Sequence, residues 1–88
     1  MKLNKNYVVK HLADEIILVH QDEFNVDFSK IITLNEIGLL IINKLDEGLN
    51  VEQIADCIVE EYEVDRPTAL GDAKAFVKKL LELGIIDE

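Results

Sequence analysis

The stretch Lys30-Ile31-Ile32-Thr33-Leu34-Asn35-Glu36-Ile37-Gly38 decides the fold of this chain. Its first half is rich in β-branched residues and predicts a strand, while Asn35 can cap a helix that starts directly behind it. The sequence before this junction predicts β structure, and the sequence after it predicts helices. An amino-terminal sheet followed by helices leaves its last strand at an edge, where the backbone can pair with another peptide.

Two further strands are predicted ahead of the junction. Residues 7–12 and 15–20 are both β-prone, and Ala13-Asp14 between them suits a tight turn, so the two runs predict a hairpin. In the segment from Gln21 to Ser29, apolar and polar residues alternate, which suits either an extra short strand or an ordered loop, and we favour a loop with some extended character. The third strand is then Lys30–Leu34, and a meander order places it at one edge of the sheet.

Three helices are predicted to follow the sheet. The first runs from Asn35 to Asp46, the second starts at Asn50, which can cap it, and the third begins after Asp65 and closes at Gly84. Residues 85–86 are expected to pack back on the core. The predicted fold class is therefore α+β, with a three-stranded antiparallel sheet followed by three helices.

The composition predicts one domain, residues 1–88, and limits the classes of molecule that it can bind. The chain carries 18 acidic against 9 basic residues, a formal charge of -9, which disfavours binding to nucleic acid or anionic lipid. The longest apolar run, Ile37 to Ile42, is far too short to span a membrane, and the first residues do not resemble a signal peptide. The single cysteine, Cys57, cannot form an internal disulfide. We therefore expect a cytoplasmic protein that does not bind membranes.

Residues that could carry catalytic or metal chemistry are sparse. His11 and His20 lie on the predicted hairpin with no nucleophile at a diagnostic spacing, so ordinary strand histidines are the better interpretation. Cys57 is most simply a small apolar residue at a helix margin. The acidic pairs lack the ligand spacing of a calcium loop, and the four glycines are isolated, which does not favour a phosphate loop. The sequence predicts no enzyme activity, no cofactor and no metal site.

The remaining candidate is a groove between the third strand and the third helix. If the helix crosses back over the sheet, it can flank the open edge of the strand, and an extended peptide could bind there. One side of the helix is apolar with lysines at its rim, which predicts contact with an apolar and an acidic side chain of such a peptide. The same pattern also fits an ordinary core rim with solvated lysines. These helix residues are Leu70, Lys74, Val77, Lys78 and Leu81.

The chain resembles PqqD-family proteins over nearly its whole length. The resemblance includes residues 27–38, 45–48 and 51–54, and it continues through Glu60-Glu61-Tyr62 and Val64-Asp65. It ends with the carboxy-terminal pattern Asp72, Phe76, Leu80 and Leu83-Gly84-Ile85-Ile86. No single motif is decisive, but many weak positions occur in the right order. Proteins of this family resemble winged helix-turn-helix domains, with three strands followed by three helices.

The resemblance implies a RiPP recognition element. Such a module is not catalytic: it binds the leader of a ribosomally synthesised precursor peptide and presents it to a modifying enzyme, often a radical SAM protein. In the family the leader adds as a strand to the third strand and lies against the third helix. The strand positions here are Ile31, Ile32 and Thr33, facing the helix residues named above. Asp72 and Phe76 match the family pattern, but their helical phase favours a role in the fold. We also expect Ile32→Pro to remove an edge amide and weaken peptide binding.

Other classes of protein share parts of this pattern. A winged-helix transcriptional regulator needs a basic recognition helix, but the second helix carries Glu52, Asp56, Glu60 and Glu61. An acidic carrier protein needs a serine for its prosthetic arm at a helix start, and the one serine of the chain is Ser29. A structural domain that forms a homodimer through the same edge strand stays open.

Overall fold

The computed structural model of the protein describes residues 2–21 and 26–87, with the backbone alone for residues 26–30. The elements follow the order β1, β2, β3, β4, α1, α2, α3 and β5. The strands are β1 (Lys2–Leu3), β2 (Tyr7–Leu12), β3 (Glu15–Gln21), β4 (Val26–Leu34) and β5 (Ile86–Asp87). The helices are α1 (Glu36–Asp46), α2 (Val51–Glu61) and α3 (Arg66–Glu82).

The main sheet is antiparallel, in the order β2-β3-β4, which confirms the predicted α+β fold of a three-stranded sheet followed by three helices. The β2–β3 hairpin turns at Ala13, whose φ of 54° lies in the left-handed region. A second sheet of two strands, β1 and β5, was not predicted; it pairs Leu3 with Ile86. Two-residue strands carry too little sequence pattern to be recognised before the ends of the fold are brought together.

The third main strand is longer than the sequence predicted. We expected a loop from Gln21 to Ser29, but Gln21 ends β3 and residues 26–29 belong to β4; residues 22–25 lie outside the described part of the chain. The β3–β4 register explains the error. Between the pairs Leu18–Ile32 and His20–Asp27, residue 19 lies alone on β3, whereas residues 28–31 lie on β4. The alternation in residues 26–29 is typical of a strand, but the bulge breaks its phase relative to residues 30–34, so the sequence pattern did not indicate one continuous strand.

Side-chain caps start all three helices. Asn35 Oδ1 accepts a hydrogen bond from the Gly38 N–H at 2.7 Å, so α1 starts where the sequence predicted. Asn50 and Gln53 form a reciprocal capping box at α2. Asp65 caps α3, and hydrogen bonds from the Thr68 side chain and backbone N–H lower the pKa of that carboxyl. Local chemistry therefore fixes where each helix begins.

One hydrophobic core joins the helices to one face of the main sheet. Leu18 from β3 and Leu34 from β4 belong to it, and residues 85–86 pack into it as predicted. From α3 the core takes Ala69, Ala73, Val77 and Leu80, which lie along one face of the helix. No described helix is long and apolar enough to cross a membrane.

Candidate functional site

The backbone at the end of β4 has groups that point away from the sheet. The Gln21 N–H donates to the Asn6 carbonyl at 2.6 Å, so the backbone N–H and carbonyl of Gln21 point toward β2. The backbone groups of successive residues in a strand point to opposite neighbouring strands. Those of Leu18, three residues before Gln21, therefore point toward β4, where Leu18 pairs with Ile32. The next residue, Thr33, therefore directs its N–H and carbonyl outward. Among the described strands, none pairs with this edge of β4.

The same register corrects the Ile32→Pro expectation. The Ile32 amide points toward Leu18 inside the sheet, so proline at this position removes a bond within the fold instead of an edge amide. Thr33 is the residue whose amide lies on the open edge. The sequence could not identify the orientation of the amides in this strand, because orientation depends on the register with β3.

A groove of about 520 Å³ lies beside this edge, where the end of β4 and the start of α1 meet α3. Thr33 lines it from β4, and Asp72 and Phe76 line it from α3, where they are one helical turn apart. Thr33 and Asp72 are exposed, and Phe76 is half-buried. The remaining lining residues are Leu34, Asn35, Ile37, Gly38 and Ile41. The groove therefore joins open backbone groups to an apolar wall and one carboxylate.

Gly38 allows the two sides of the groove to approach each other. A Cβ built at this buried position would lie 3.3 Å from Asn35 Oδ1, 3.4 Å from Leu34 Cδ2 and 3.5 Å from Phe76 Cε2. The contact with the Asn35 cap would be tight, whereas those with Leu34 and the Phe76 ring are ordinary van der Waals distances. The reason for a glycine here is this packing and not backbone conformation, since no positive φ is recorded at Gly38.

The α3 residues that we selected from the sequence lie on the other flank of the helix. With about 100° per residue, Phe76 and Asp72 lie about 60° and 100° to one side of the buried Ala73. Leu70, Lys74, Lys78 and Leu81 lie about 60° to 140° to the opposite side, and they do not line the groove. Val77 is only 4% exposed and belongs to the core.

The strand residues we selected have three different environments. Thr33 lines the groove; Ile31 is 40% exposed but outside the groove lining; and Ile32 is half-buried and packs against the core. Phe76 packs against the core, in agreement with the role in the fold that the sequence assigned to it, and both Phe76 and Asp72 also line the groove with Thr33. Their i, i+4 spacing was visible in the sequence, but nothing there showed which flank of α3 faces β4.

Other candidate groups for chemistry lie elsewhere. The His20 ring packs edge-on against Tyr7 at 5.1 Å between centroids, and Cys57 is half-buried on α2. Within residues 2–21 and 26–87, no three metal-ligating side chains come together. The groove between β4 and α3 does not include the side chain of His20 or of Cys57.

Comparisons with known proteins agree with this architecture. A family model described as Coenzyme PQQ synthesis protein D (PqqD) matches residues 15–86, from β3 into β5. The solved structure of TbiB1 in complex with the TbiA(beta) leader peptide is 32% identical, with a TM-score of 0.76; the match covers 99% of this chain and 95% of that one. Lasso peptide synthetase B1 complexed with the leader peptide is 26% identical, with a TM-score of 0.75, and 96% and 93% are covered. A search of curated proteins found no match.

Proposed function

This chain belongs to the PqqD family, and from that premise we propose that it is a non-catalytic module that binds the leader of a ribosomally synthesised precursor peptide. The leader adds as a strand to the open edge of β4 and places a side chain in the groove between β4 and α3. The observation that carries this proposal is the outward Thr33 backbone beside the groove that Phe76 and Asp72 line.

Each part of the site has a distinct role in this proposal. The Thr33 amide and carbonyl bond to the leader backbone, which gives affinity that does not depend on the leader sequence. Phe76 provides an apolar wall for one leader side chain, while Asp72 favours a basic or hydrogen-bond-donating neighbour. Ile31 supplies exposed apolar surface next to the strand, and Ile32 supports the strand from the core side. Every second side chain of the leader would thus point toward the groove, which would select among leader sequences.

The two solved relatives support this function, because both are complexes with leader peptides. Their likeness to this chain extends over nearly the whole of it, so the strand and helix that form the groove lie within the matched part. In the proposal the module then presents the precursor to a modifying enzyme, such as a radical SAM protein, in the cytoplasm. It supplies recognition, and the enzyme supplies the chemistry.

An NMR titration of the labelled protein tests this function. The ligand is the leader segment of a precursor peptide that is encoded next to the gene of this protein. We expect shifts concentrated at Ile32–Leu34 and at residues 72–76, with small changes along β2. A leader of scrambled sequence is the control and should require a much higher concentration. Absence of shifts with the cognate leader, or shifts confined to β2, would refute the proposed site.

Homodimerisation through β4 predicts a different result in the same samples. If a second copy occupies the edge, the mass in solution rises with protein concentration, and the leader lowers that mass as it binds. A monomer at every concentration, together with leader-dependent shifts at Thr33, supports leader capture alone.

A further inference from the structure

A second groove, of about 260 Å³, lies between α1 and the end of α2. Its lining residues are Glu36, Leu39, Leu40, Asn43, Glu61 and Tyr62. This groove and the first lie on opposite sides of α1. With about 100° per residue, the α1 residues that line one groove are separated around the helix axis by roughly half a turn from those that line the other. The two grooves therefore use different residues of α1 and open on different sides of it.

The chemistry of the second groove is apolar at its centre and acidic at its rim. Leu39, Leu40 and Tyr62 are half-buried, so part of each apolar side chain still faces water, and Glu36 and Glu61 are exposed. Burial, together with the nearby carboxylates of Glu36 and Glu61, raises the pKa of the Tyr62 hydroxyl. Both carboxylates are therefore close enough to Tyr62 to affect the pKa of its hydroxyl.

This combination matches one kind of partner group. An arginine guanidinium can stack on an aromatic ring and bond with carboxylates through its planar donors. Apolar side chains beside that arginine would cover Leu39 and Leu40. At about 260 Å³ the groove is below the ~300–1,000 Å³ typical of small-molecule pockets, which favours a protein segment that inserts one long side chain.

We propose that this groove docks a segment of a partner protein that carries an arginine flanked by apolar side chains. The partner is the enzyme that receives the leader-bound precursor; this part rests on the proposed function. The module then has two separate surfaces, one for the leader and one for the enzyme, so that the precursor is held while the enzyme docks.

A second copy of this chain is a poor occupant. The chain has one arginine, Arg66, and its Nε donates to Asp56 Oδ1 at 2.8 Å. With a formal charge of -9, two copies also repel each other. Near the groove, Lys44 Nζ lies 3.3 Å from a Glu47 carboxylate oxygen, and its hydrogen bond to Glu47, together with the nearby Glu61 carboxylate, raises the pKa of the lysine. Lys44 therefore offsets part of the negative charge of Glu61, and the ion pair with Glu47 holds its ammonium group beside the end of α1. An arginine from another protein would complement the groove.

The first test uses a short synthetic peptide of leucine and arginine residues in an amphipathic helical pattern, and its counterpart with glutamate in place of arginine. We expect the arginine peptide to shift the amides of Leu39, Leu40, Asn43 and Tyr62, and the glutamate peptide to shift none of them. Shifts spread over all acidic surfaces, or equal shifts with both peptides, would overturn the proposal.

Two charge reversals that differ by one position separate a local site from general attraction to an acidic protein. Glu61→Lys should weaken binding of the arginine peptide about 10-fold, because Glu61 lines the groove. Glu60→Lys makes the same change in net charge outside the lining and should change affinity less than about 2-fold. Equal losses in the two variants would show that only net charge matters and would refute a docking site.

The partner itself is tested with the purified enzyme encoded beside the precursor gene. Glu61→Lys should weaken its binding to the enzyme, and Glu60→Lys should not, while both variants retain the leader affinity of the unaltered protein. Unchanged enzyme binding by Glu61→Lys would overturn the proposal. Failure of the unaltered protein to bind the leader would instead refute the proposed function, and the peptide test of the groove would keep its own result.

Discussion

The two edges of the main sheet have the same backbone chemistry but different surroundings. His11 on β2 and Thr33 on β4 are both exposed, and the register directs the amides of both away from β3. The β2 edge leads to the hairpin tip, where Leu12 is 52% exposed. The β4 edge leads into α1 and borders the groove with α3. An open edge offers affinity for any extended chain, and an adjacent groove adds selection among side chains.

The largest expected effect compares proline at the two edges. Thr33→Pro removes the outward amide of β4 and places a ring against an added strand, so we expect leader affinity to fall about 30-fold or more. His11→Pro makes the same change at β2 and should alter leader affinity less than about 2-fold. Calorimetric titration of both variants with the leader gives the two values.

The comparison of Thr33→Pro with His11→Pro also shows which edge of the sheet binds the leader. If His11→Pro loses the leader and Thr33→Pro keeps it, the leader adds to β2 and our assignment is wrong. Circular dichroism of both proteins checks that the helices persist, since edge positions tolerate proline far better than central ones.

The second prediction compares the two flanks of α3. Phe76→Ala removes the apolar wall of the groove, and we expect leader affinity to fall about 10-fold. Leu70→Ala is the matched control, because Leu70 is also half-buried and packed on the core but lies on the opposite flank. Both variants should lose stability, and only the first should lose affinity. Equal losses of affinity would mean that the groove wall has no specific role.

A smaller effect is expected from Gly38→Ala. Alanine in a helix is favoured over glycine by about 1 kcal/mol, but here the new Cβ crowds the Asn35 cap and takes up space against the Phe76 ring that lines the groove. We expect little net change in the free energy of unfolding and a loss of about 3-fold in leader affinity. Urea denaturation and titration measure the two quantities. A more stable variant with unchanged affinity would show that the close approach does not shape the groove.

The smallest effect is expected at the lysines selected from the sequence. Lys74 and Lys78 are exposed on the flank of α3 away from the groove. Their joint replacement by alanine should change leader affinity less than about 2-fold, since solvated charges at a distance contribute little. A loss of about 10-fold or more would support contact on that flank and would favour the original choice of residues over Asp72 and Phe76.

Much of the fold followed from local patterns in the chain. Asn35, Asn50 and Asp65 cap the helices where the sequence placed them, and Gly48, with φ of 92°, follows α1 as a left-handed residue. The hairpin pairs Leu12 with Glu15 across the predicted turn. Capping and turn formation depend on neighbouring residues, so these features were accessible without a tertiary structure.

The structural features that the sequence did not predict depend on contacts between distant segments. The bulge in β4 arises where residue 19 faces residues 28–31, and the short sheet pairs Leu3 with Ile86. For α3, the helical wheel identified the buried face but not which flank borders β4. A wheel gives the angles between side chains along one helix, whereas the direction in which the helix crosses the sheet sets what each flank meets.

The sequence by itself therefore determined the element types, the helix starts, the acidic surface and the strand that ends at the junction before α1. Those properties follow from residue conformation, capping and charge, which act over a few positions. Only the tertiary structure decided that Thr33, not Ile32, directs its amide outward and that Asp72 and Phe76 line the same groove. Strand register and helix crossing are set by packing of the whole core, because a shift of one residue or one helical flank changes which groups are buried.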